Sequence, residues 1–155
     1  MSKVLKLALI VSFVTGCTSI EVVDVKQLNM NGNKTKAIVV KNNPDVHKND
    51  YVTDIFKRWS KENGFDYTLS YKGEVDTTGK YVLDYNVGWH WDGVNYINDA
   101  VMTLTFNGEQ VAHTDLDSHG LLNFDKWQDD GRKLRLTLDA LFGIKTVEQV
   151  NDLLD

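Results

Sequence analysis

Residues 80–91 read KYVLDYNVGWHW, and this stretch has the clearest secondary-structure pattern in the chain. Large apolar side chains occupy every second position, and mostly polar or small residues stand between them. The apolar set is Tyr81, Leu83, Tyr85, Val87, Trp89 and Trp91. A period of two is typical of a strand that buries one face. We therefore predict a strand whose aromatic face forms the main part of the core.

Two more strands follow this one along the chain. Asp92-Gly93 predicts a turn, residues 94–98 a short connection, and residues 100–106, AVMTLTF, alternate again. Asn107-Gly108 is a strong hairpin pattern because both residues accept a positive φ. Its partner strand is residues 109–116, so the chain from 80 to 116 predicts an antiparallel meander.

The residues before the meander predict a strand, a helix and a second strand. Residues 36–41, KAIVVK, contain three consecutive β-branched or apolar residues, as in a strand buried on both faces. Residues 49–63 place their apolar side chains on one helical stripe, and Gly64 is a natural residue to end that helix. Residues 66–71 alternate and predict a strand.

The residues after the meander predict two helices. An apolar stripe runs from Asn123 to Gly143, with Gly131 as a candidate interruption. Thr146 and Gln149 form a capping box that begins a short last helix. The whole order predicts an α+β fold, in which two or three helices pack on one face of a mostly antiparallel sheet of about four or five strands.

Composition restricts the classes of function. The chain has 155 residues with 17 basic and 22 acidic side chains, a formal net charge of −5. An acidic domain is poorly suited to nucleic acid, which is bound through clustered Lys and Arg, so no nucleic-acid partner is expected. The chain has a single cysteine, Cys17, which excludes an internal disulfide or a zinc–thiolate cluster.

Residues 1–17, MSKVLKLALIVSFVTGC, predict where the protein resides. Two lysines precede a short apolar run that ends on small residues, as in a secretory signal. The ending Val14-Thr15-Gly16-Cys17 resembles the bacterial lipobox, and this resemblance implies cleavage before Cys17 and a lipid on its sulfur. The alternative is an ordinary secretory signal with an incidental cysteine.

The lipobox resemblance divides the chain into three parts. Residues 1–16 are the predicted signal peptide, residues 17–35 a lipidated tether, and residues 36–155 a single domain. Cleavage removes two lysines and no acidic residue, which leaves 139 residues and a formal net charge of −7. The family retains proteins in the inner membrane through Asp after the cysteine, and Thr18 stands there instead. The resemblance therefore implies a lipid-anchored protein of the outer membrane with its domain in the periplasm.

Two short motifs carry a second resemblance. They are WHWD at residues 89–92 and DALFG at residues 139–143. Together with the predicted order of elements over residues 36–143, they make the domain similar to small uncharacterised Gram-negative envelope lipoproteins. This resemblance implies a fold and a location, and it implies no reaction.

Residues 113–119, HTDLDSH, contain the sharpest candidate metal site. His113, Asp115, Asp117 and His119 alternate, so on a strand they share one face, and His and Asp are ligands of zinc or manganese. Neighbours on one face of a strand are about 6.6 Å apart, whereas each donor must lie about 2.0–2.2 Å from the ion. The strand would have to bend to use all four. The alternative is the solvated outer face of an edge strand, whose charges also prevent edge-to-edge pairing.

Other residues suggest weaker hypotheses. Asp84, Asn86 and His90 lie on the polar face of strand 80–91. If His113 or Asp115 lies on an adjoining strand, a buried Asp–His pair could act as general acid and base, and the alternative is a solvated face. No nucleophile elbow and no glycine-rich phosphate loop occurs in the sequence.

The aromatic residues have a structural and a functional interpretation. Trp89 and Trp91 could stack on a sugar, but alternation assigns both to the core. Tyr96 and Trp127 lie near the ends of predicted elements, so they are the candidates for an exposed partner contact.

Three functional hypotheses remain. The first is a non-enzymatic binding or accessory lipoprotein that contacts an envelope protein and needs no cofactor beyond its covalent lipid. The second is an inhibitor or immunity lipoprotein against a periplasmic toxin or lysozyme, with the acidic charge steering it toward a basic enzyme. The third is a protein or enzyme that binds a divalent metal through the strand at residues 113–119.

Overall fold

The computed structural model describes residues 20–28, 35–71, 75–91, 93–118 and 130–154. These residues form six strands and three helices. In chain order they are β1 (Ile20–Lys26), β2 (Ala37–Lys41), α1 (Asn49–Glu62), β3 (Asp66–Ser70), β4 (Tyr81–Trp91), β5 (Asn95–Phe106), β6 (Glu109–Ser118), α2 (Asp130–Leu141) and α3 (Val147–Leu154). The α+β class is confirmed, with the apolar sides of all three helices in one core.

The sheet has six strands in the order β1-β6-β5-β4-β2-β3, and it is mixed. The predicted meander is present, since β4, β5 and β6 pair antiparallel in sequence order. However, β2 pairs parallel with both β3 and β4. A strand that is followed by a helix and then by a neighbouring strand returns in the same direction, because the helix carries the chain back across the sheet. The sheet thus has one strand more than the predicted four or five, and two of its five strand pairings are parallel.

The missing strand is β1, which lies within the stretch interpreted as a tether. It pairs antiparallel with β6, from Ile20 opposite Ser118 to Lys26 opposite His113. Val22 is buried, and its backbone N–H donates to Asn151 Oδ1 of α3 at 2.8 Å. The β-forming residues of this strand are followed by turn-forming residues around Asn31, so the sequence alone indicated a linker. The described domain thus begins by Ile20, well before residue 36.

One face of the sheet carries the core. Alternate residues of β6 are buried in the order Ala112, Thr114, Leu116 and Ser118, while the residues between them are half-exposed. The same alternation holds through most of β4, from Tyr81 to Val87. In β2, Ile38, Val39 and Val40 are all buried, as predicted for a strand buried on both faces.

Local patterns predicted several turns and ends correctly. Asn107 and Gly108 both adopt positive φ in the β5–β6 hairpin, 50° and 84°. In the capping box, Thr146 N–H donates to Gln149 Oε1 at 2.9 Å and Gln149 N–H donates to Thr146 Oγ1 at 3.3 Å. Gly131 does not interrupt α2, because it lies in the first turn of that helix. Residues 123–129, predicted to begin it, lie outside the described residues.

Trp59 joins α1 to the C-terminal helices. Its ring stacks on Phe65 and contacts Phe142, with centroids 5.6 and 4.9 Å away. Its Nε1 donates to the buried carboxylate of Asp139 at 2.8 Å, and Lys145 pairs with the other oxygen of that carboxylate. A buried carboxylate is costly unless it is paired and hydrogen-bonded, so this contact makes the position of α2 depend on α1.

We expect Trp59→Phe to lower the free energy of unfolding by about 2–4 kcal/mol, because it shrinks a buried ring and removes a donor from Asp139. Urea unfolding followed by circular dichroism measures the loss. Ser60→Ala is the matched control, since Ser60 Oγ is buried and has no hydrogen-bond partner among the described residues. If Trp59→Phe unfolded at the same urea concentration as Ser60→Ala, the contact between Trp59 and Asp139 would not hold the helices together.

Candidate functional site

The candidate site is the sheet face opposite the helices, which we call the outer face. On β4, β5 and β6 it carries mostly polar residues at register positions that line up across the strands. They are Asp84, Asn86, Asp99, Thr103, His113, Asp115 and Asp117. Alternation places them there, because each lies between residues whose side chains point into the core. The result is a broad, nearly continuous polar surface.

The first row of residues across the outer face is Asp84, Thr103 and His113, and it contains two polar pairs. Lys41 Nζ donates to Asp84 Oδ2 at 2.6 Å between β2 and β4. Thr103 Oγ1 and His113 Nδ1 are hydrogen-bonded at 3.1 Å between β5 and β6. The Lys41–Asp84 pair is about half exposed on both sides, so its contribution to stability is small. These side chains are held in place but remain accessible to a partner.

The third row of the outer face is Gly88, Asp99 and Asp117, and the position of the Asp99 side chain in it depends on the absence of a side chain at Gly88. Gly88 lies opposite Asp99, and an added Cβ at Gly88 would be 2.1 Å from Asp99 Oδ1. Glycine therefore lets the Asp99 carboxylate lie across β4. On its other side Asp99 is opposite Asp117 of β6, so this row brings two acidic residues to neighbouring strands.

The predicted metal ligands are only partly described. His113, Asp115 and Asp117 do share the outer face of β6, as the alternation predicted. His119 lies outside the described residues. Within the described part of the chain, no group of three or more His, Cys, Asp or Glu side chains is arranged to hold a metal ion. The metal site stays a prediction, and its fourth proposed ligand is the one the structure does not describe.

The proposed Asp–His pair does not form between Asp84 and His113. Strand β5 lies between β4 and β6, so the two residues are two strand spacings apart, about 10 Å. Asp84 instead pairs with Lys41, and His113 is hydrogen-bonded to Thr103. His90 lies further along β4, with its ring against Tyr96 at 5.6 Å. The sequence placed these residues on one face correctly, but it could not give the strand order that separates them.

The expected exposure of Tyr96 was wrong, and its role as a partner contact stays a prediction. Tyr96 is only 5% exposed and packs between His90 and Lys133, whose Nζ lies 5.6 Å from the ring centroid. Residues 94–98 were predicted as a connection, but β5 begins at Asn95. Tyr96 is therefore part of that strand. Trp127, the second candidate, lies outside the described residues, as does Cys17.

The two tryptophans of β4 have different environments. Trp89 is half-buried against the core, with His47, Tyr51 and Lys48 around it, and Lys48 Nζ lies 4.3 Å from its ring centroid. Trp91 is 69% exposed, so its assignment to the core was wrong. Alternation indicates the face of a strand, but not how far along that face the helices reach.

The helix side contains a small groove and a buried lysine. The groove, about 250 Å³, is lined by Tyr51, Ile55, Arg58, Gly131 and Arg135. Its arginines already pair with Asp54 and Glu62. Lys133 is buried, which lowers its pKa, while nearby Asp130 acts in the opposite direction. Lys133 Nζ donates to Ile97 O at 3.3 Å, so its evident role is to fix α2 on β5.

Comparison with known proteins assigns no class to this fold and surface: no protein family, no curated protein and no solved structure matches the chain. Among the helices that the structure describes, none has the length and apolar character needed to cross a membrane.

The metal hypothesis predicts stoichiometric zinc or manganese uptake by protein purified without chelator. The uptake should be lost in His113→Ala and His119→Ala, because each removes one ligand, and kept in the control His47→Ala, whose ring lies beside Trp89. Calorimetric titration measures it. If the unmodified protein takes up neither metal, the hypothesis is excluded.

Proposed function

We propose that this protein is an outer-membrane lipoprotein, anchored by a lipid on Cys17, whose periplasmic domain binds an envelope protein without catalysing a reaction. The observation that carries the proposal is the outer face. It presents half-exposed or exposed polar side chains from three adjacent strands, on the face opposite the core. A broad, partly ordered polar surface suits recognition of another protein surface better than enclosure of a small substrate.

The geometry of the outer face supports binding in a second way. The Lys41–Asp84 and Thr103–His113 pairs restrict the rotamers of four side chains before any partner arrives. Ordering a flexible side chain at an interface costs about 0.5–1.5 kcal/mol, so residues that are already held lower that cost. Val101, on the same face between Asn86 and Asp115, adds an apolar contact at the centre.

The location part of the proposal is supported by the sequence. The lipobox-like ending at Cys17 supports the lipid anchor, and Thr18 supports sorting to the outer membrane. A lipid with several acyl chains anchors firmly, because each buried methylene contributes about 0.8 kcal/mol. The net charge of the acidic domain adds no attraction to an anionic surface, so the lipid is the main anchor.

In-cell photo-cross-linking tests the proposal. A photo-reactive residue in place of Asp115, on the outer face, should give one dominant adduct that mass spectrometry identifies, and Cys17→Ser should abolish it through mislocalisation. The same residue in place of Lys57, exposed on α1, is the matched control. Equal labelling from both positions, or hydrolysis of peptidoglycan or lipid by the purified protein, would contradict the proposal.

A second candidate function is inhibition of a basic periplasmic enzyme, such as a toxin or lysozyme. It is favoured by three aspartates on the outer face, Asp99, Asp115 and Asp117, at neighbouring register positions. Complementary charge raises the association rate and makes binding sensitive to salt.

This alternative predicts that a basic lysozyme is bound tightly at low salt and that Asp115→Asn lowers the association rate. Asp152→Asn, an exposed change on α3, is the control and should have little effect. Surface plasmon resonance over a range of salt concentrations measures the rates. Binding that is absent, or that is insensitive to salt and to Asp115→Asn, would exclude the inhibitor function.

A further inference from the structure

The end of the sheet where β1 begins also carries the most exposed tryptophan among the described residues. Ile20 is opposite Ser118 of β6, and the adjacent residue Asp117 is opposite Asp99 of β5. From that row β4 and β5 continue for about three more residues, to the pair Trp91 and Asn95. We call Trp91, Gly93, Val94 and Asn95 the β4–β5 tip. Ile20 lies one residue beyond that row, so the tip projects beyond the start of β1 by about two residues, or about 7 Å.

The chain leaves very little length between this end and the proposed lipid. Only Thr18 and Ser19 separate Cys17 from Ile20, and an extended chain spans at most about 3.6 Å per residue. Ile20 can therefore lie no more than about 11 Å from the lipidated residue. The tip is three strands away across the sheet, about 14 Å, at the same end as Ile20, so the anchor brings it within reach of the bilayer surface.

The side chains at this end suit a membrane interface. Trp91 is 69% exposed and Val94 is 49% exposed, although both are apolar. Nearby, the exposed residues His47, Lys48 and Tyr51 surround Trp89, with the Lys48 ammonium group over its ring. Tryptophan and tyrosine are enriched where acyl chains meet headgroups, and lysine reaches from there to lipid phosphates.

We propose that the β4–β5 tip is a second membrane contact, in which Trp91 and Val94 enter the headgroup boundary of the phospholipid bilayer beside the lipid on Cys17. The inference rests on the lipid anchor of the proposed function. It commits the tip to a phospholipid surface because the short chain from Cys17 keeps this end of the sheet within reach of the bilayer, and Trp91 and Val94 are exposed and apolar there. The sheet then stands with this end on the membrane, and the outer face remains open to a partner from the side.

Fluorescence quenching tests the contact on the mature lipidated protein. The protein is reconstituted into vesicles of phosphatidylethanolamine and phosphatidylglycerol, with and without bromine on the acyl chains. The emission of Trp91 is the difference between the unmodified protein and Trp91→Phe, and we expect bromine to quench it strongly. The other three tryptophans, Trp59, Trp89 and Trp127, are present in both proteins, so their emission cancels in the difference.

A matched pair of charge substitutions makes the test specific. Val94→Asp should reduce quenching of Trp91, because a carboxylate at the tip opposes entry into the boundary. Ile144→Asp should leave it unchanged. Ile144 is 44% exposed, but it follows α2 near Leu28, at the opposite end of β1 from Ile20. Both positions are exposed, so the fold is expected to tolerate both changes.

Mass spectrometry of the same preparation separates the two possible failures. If Cys17 carries lipid and Trp91 is not quenched, the tip contact is wrong and the anchor stands. If Cys17 carries no lipid, the anchor is wrong and the tip contact fails with it. Quenching that Val94→Asp and Ile144→Asp reduce equally, or cross-links that join the tips of two copies, would also overturn the contact.

Discussion

The fold depends on the burial of Trp59 between α1 and the C-terminal helices. Its ring contacts Phe65 and Phe142, and its Nε1 is a donor to the buried carboxylate of Asp139. Lys145 completes the environment of that carboxylate from beyond the end of α2. A buried carboxylate without partners is strongly unfavourable. Helix α1, helix α2 and the segment that connects α2 to α3 must therefore occupy their positions together.

That single core divides the sheet into two chemically different faces. Helices cover one face from β1 to β3, and their apolar side chains join those of the strands in one cluster. The opposite face keeps its polar side chains near solvent, where Lys41 with Asp84 and Thr103 with His113 are ordered without being buried. The polar outer face thus arises from the same alternation that builds the core, because a period of two assigns every second residue to each face.

The proposed anchor, the tip and the outer face are geometrically compatible. The chain enters β1 at the end of the sheet where Trp91 and Val94 are exposed, so a lipid at Cys17 would bring that end to the membrane. The rows of the outer face lie along the strands behind the tip. A partner could therefore reach Asp84 or His113 while the tip stays at the bilayer.

Much of the local structure could be predicted because it depends on neighbouring residues. The Asn107-Gly108 hairpin, the Thr146–Gln149 capping box and the doubly buried strand β2 each follow from a few adjacent side chains. The strand β1 could not be predicted in the same way. Its residues are ordinary β-formers, and only pairing with β6, far along the chain, selects the strand over a linker.

The sequence alone determined the α+β class, the face on which most residues of β4 and β6 lie, and the candidate lipid site at Cys17, because these follow from local period and short motifs. Only the tertiary structure decided which strands are neighbours. Strand order separates Asp84 from His113. Tyr96 is buried because it lies within β5, between His90 and Lys133. Trp91 is exposed because it lies beyond the part of the sheet that the helices cover. These outcomes depend on contacts between residues distant along the chain, and no local pattern contains that information.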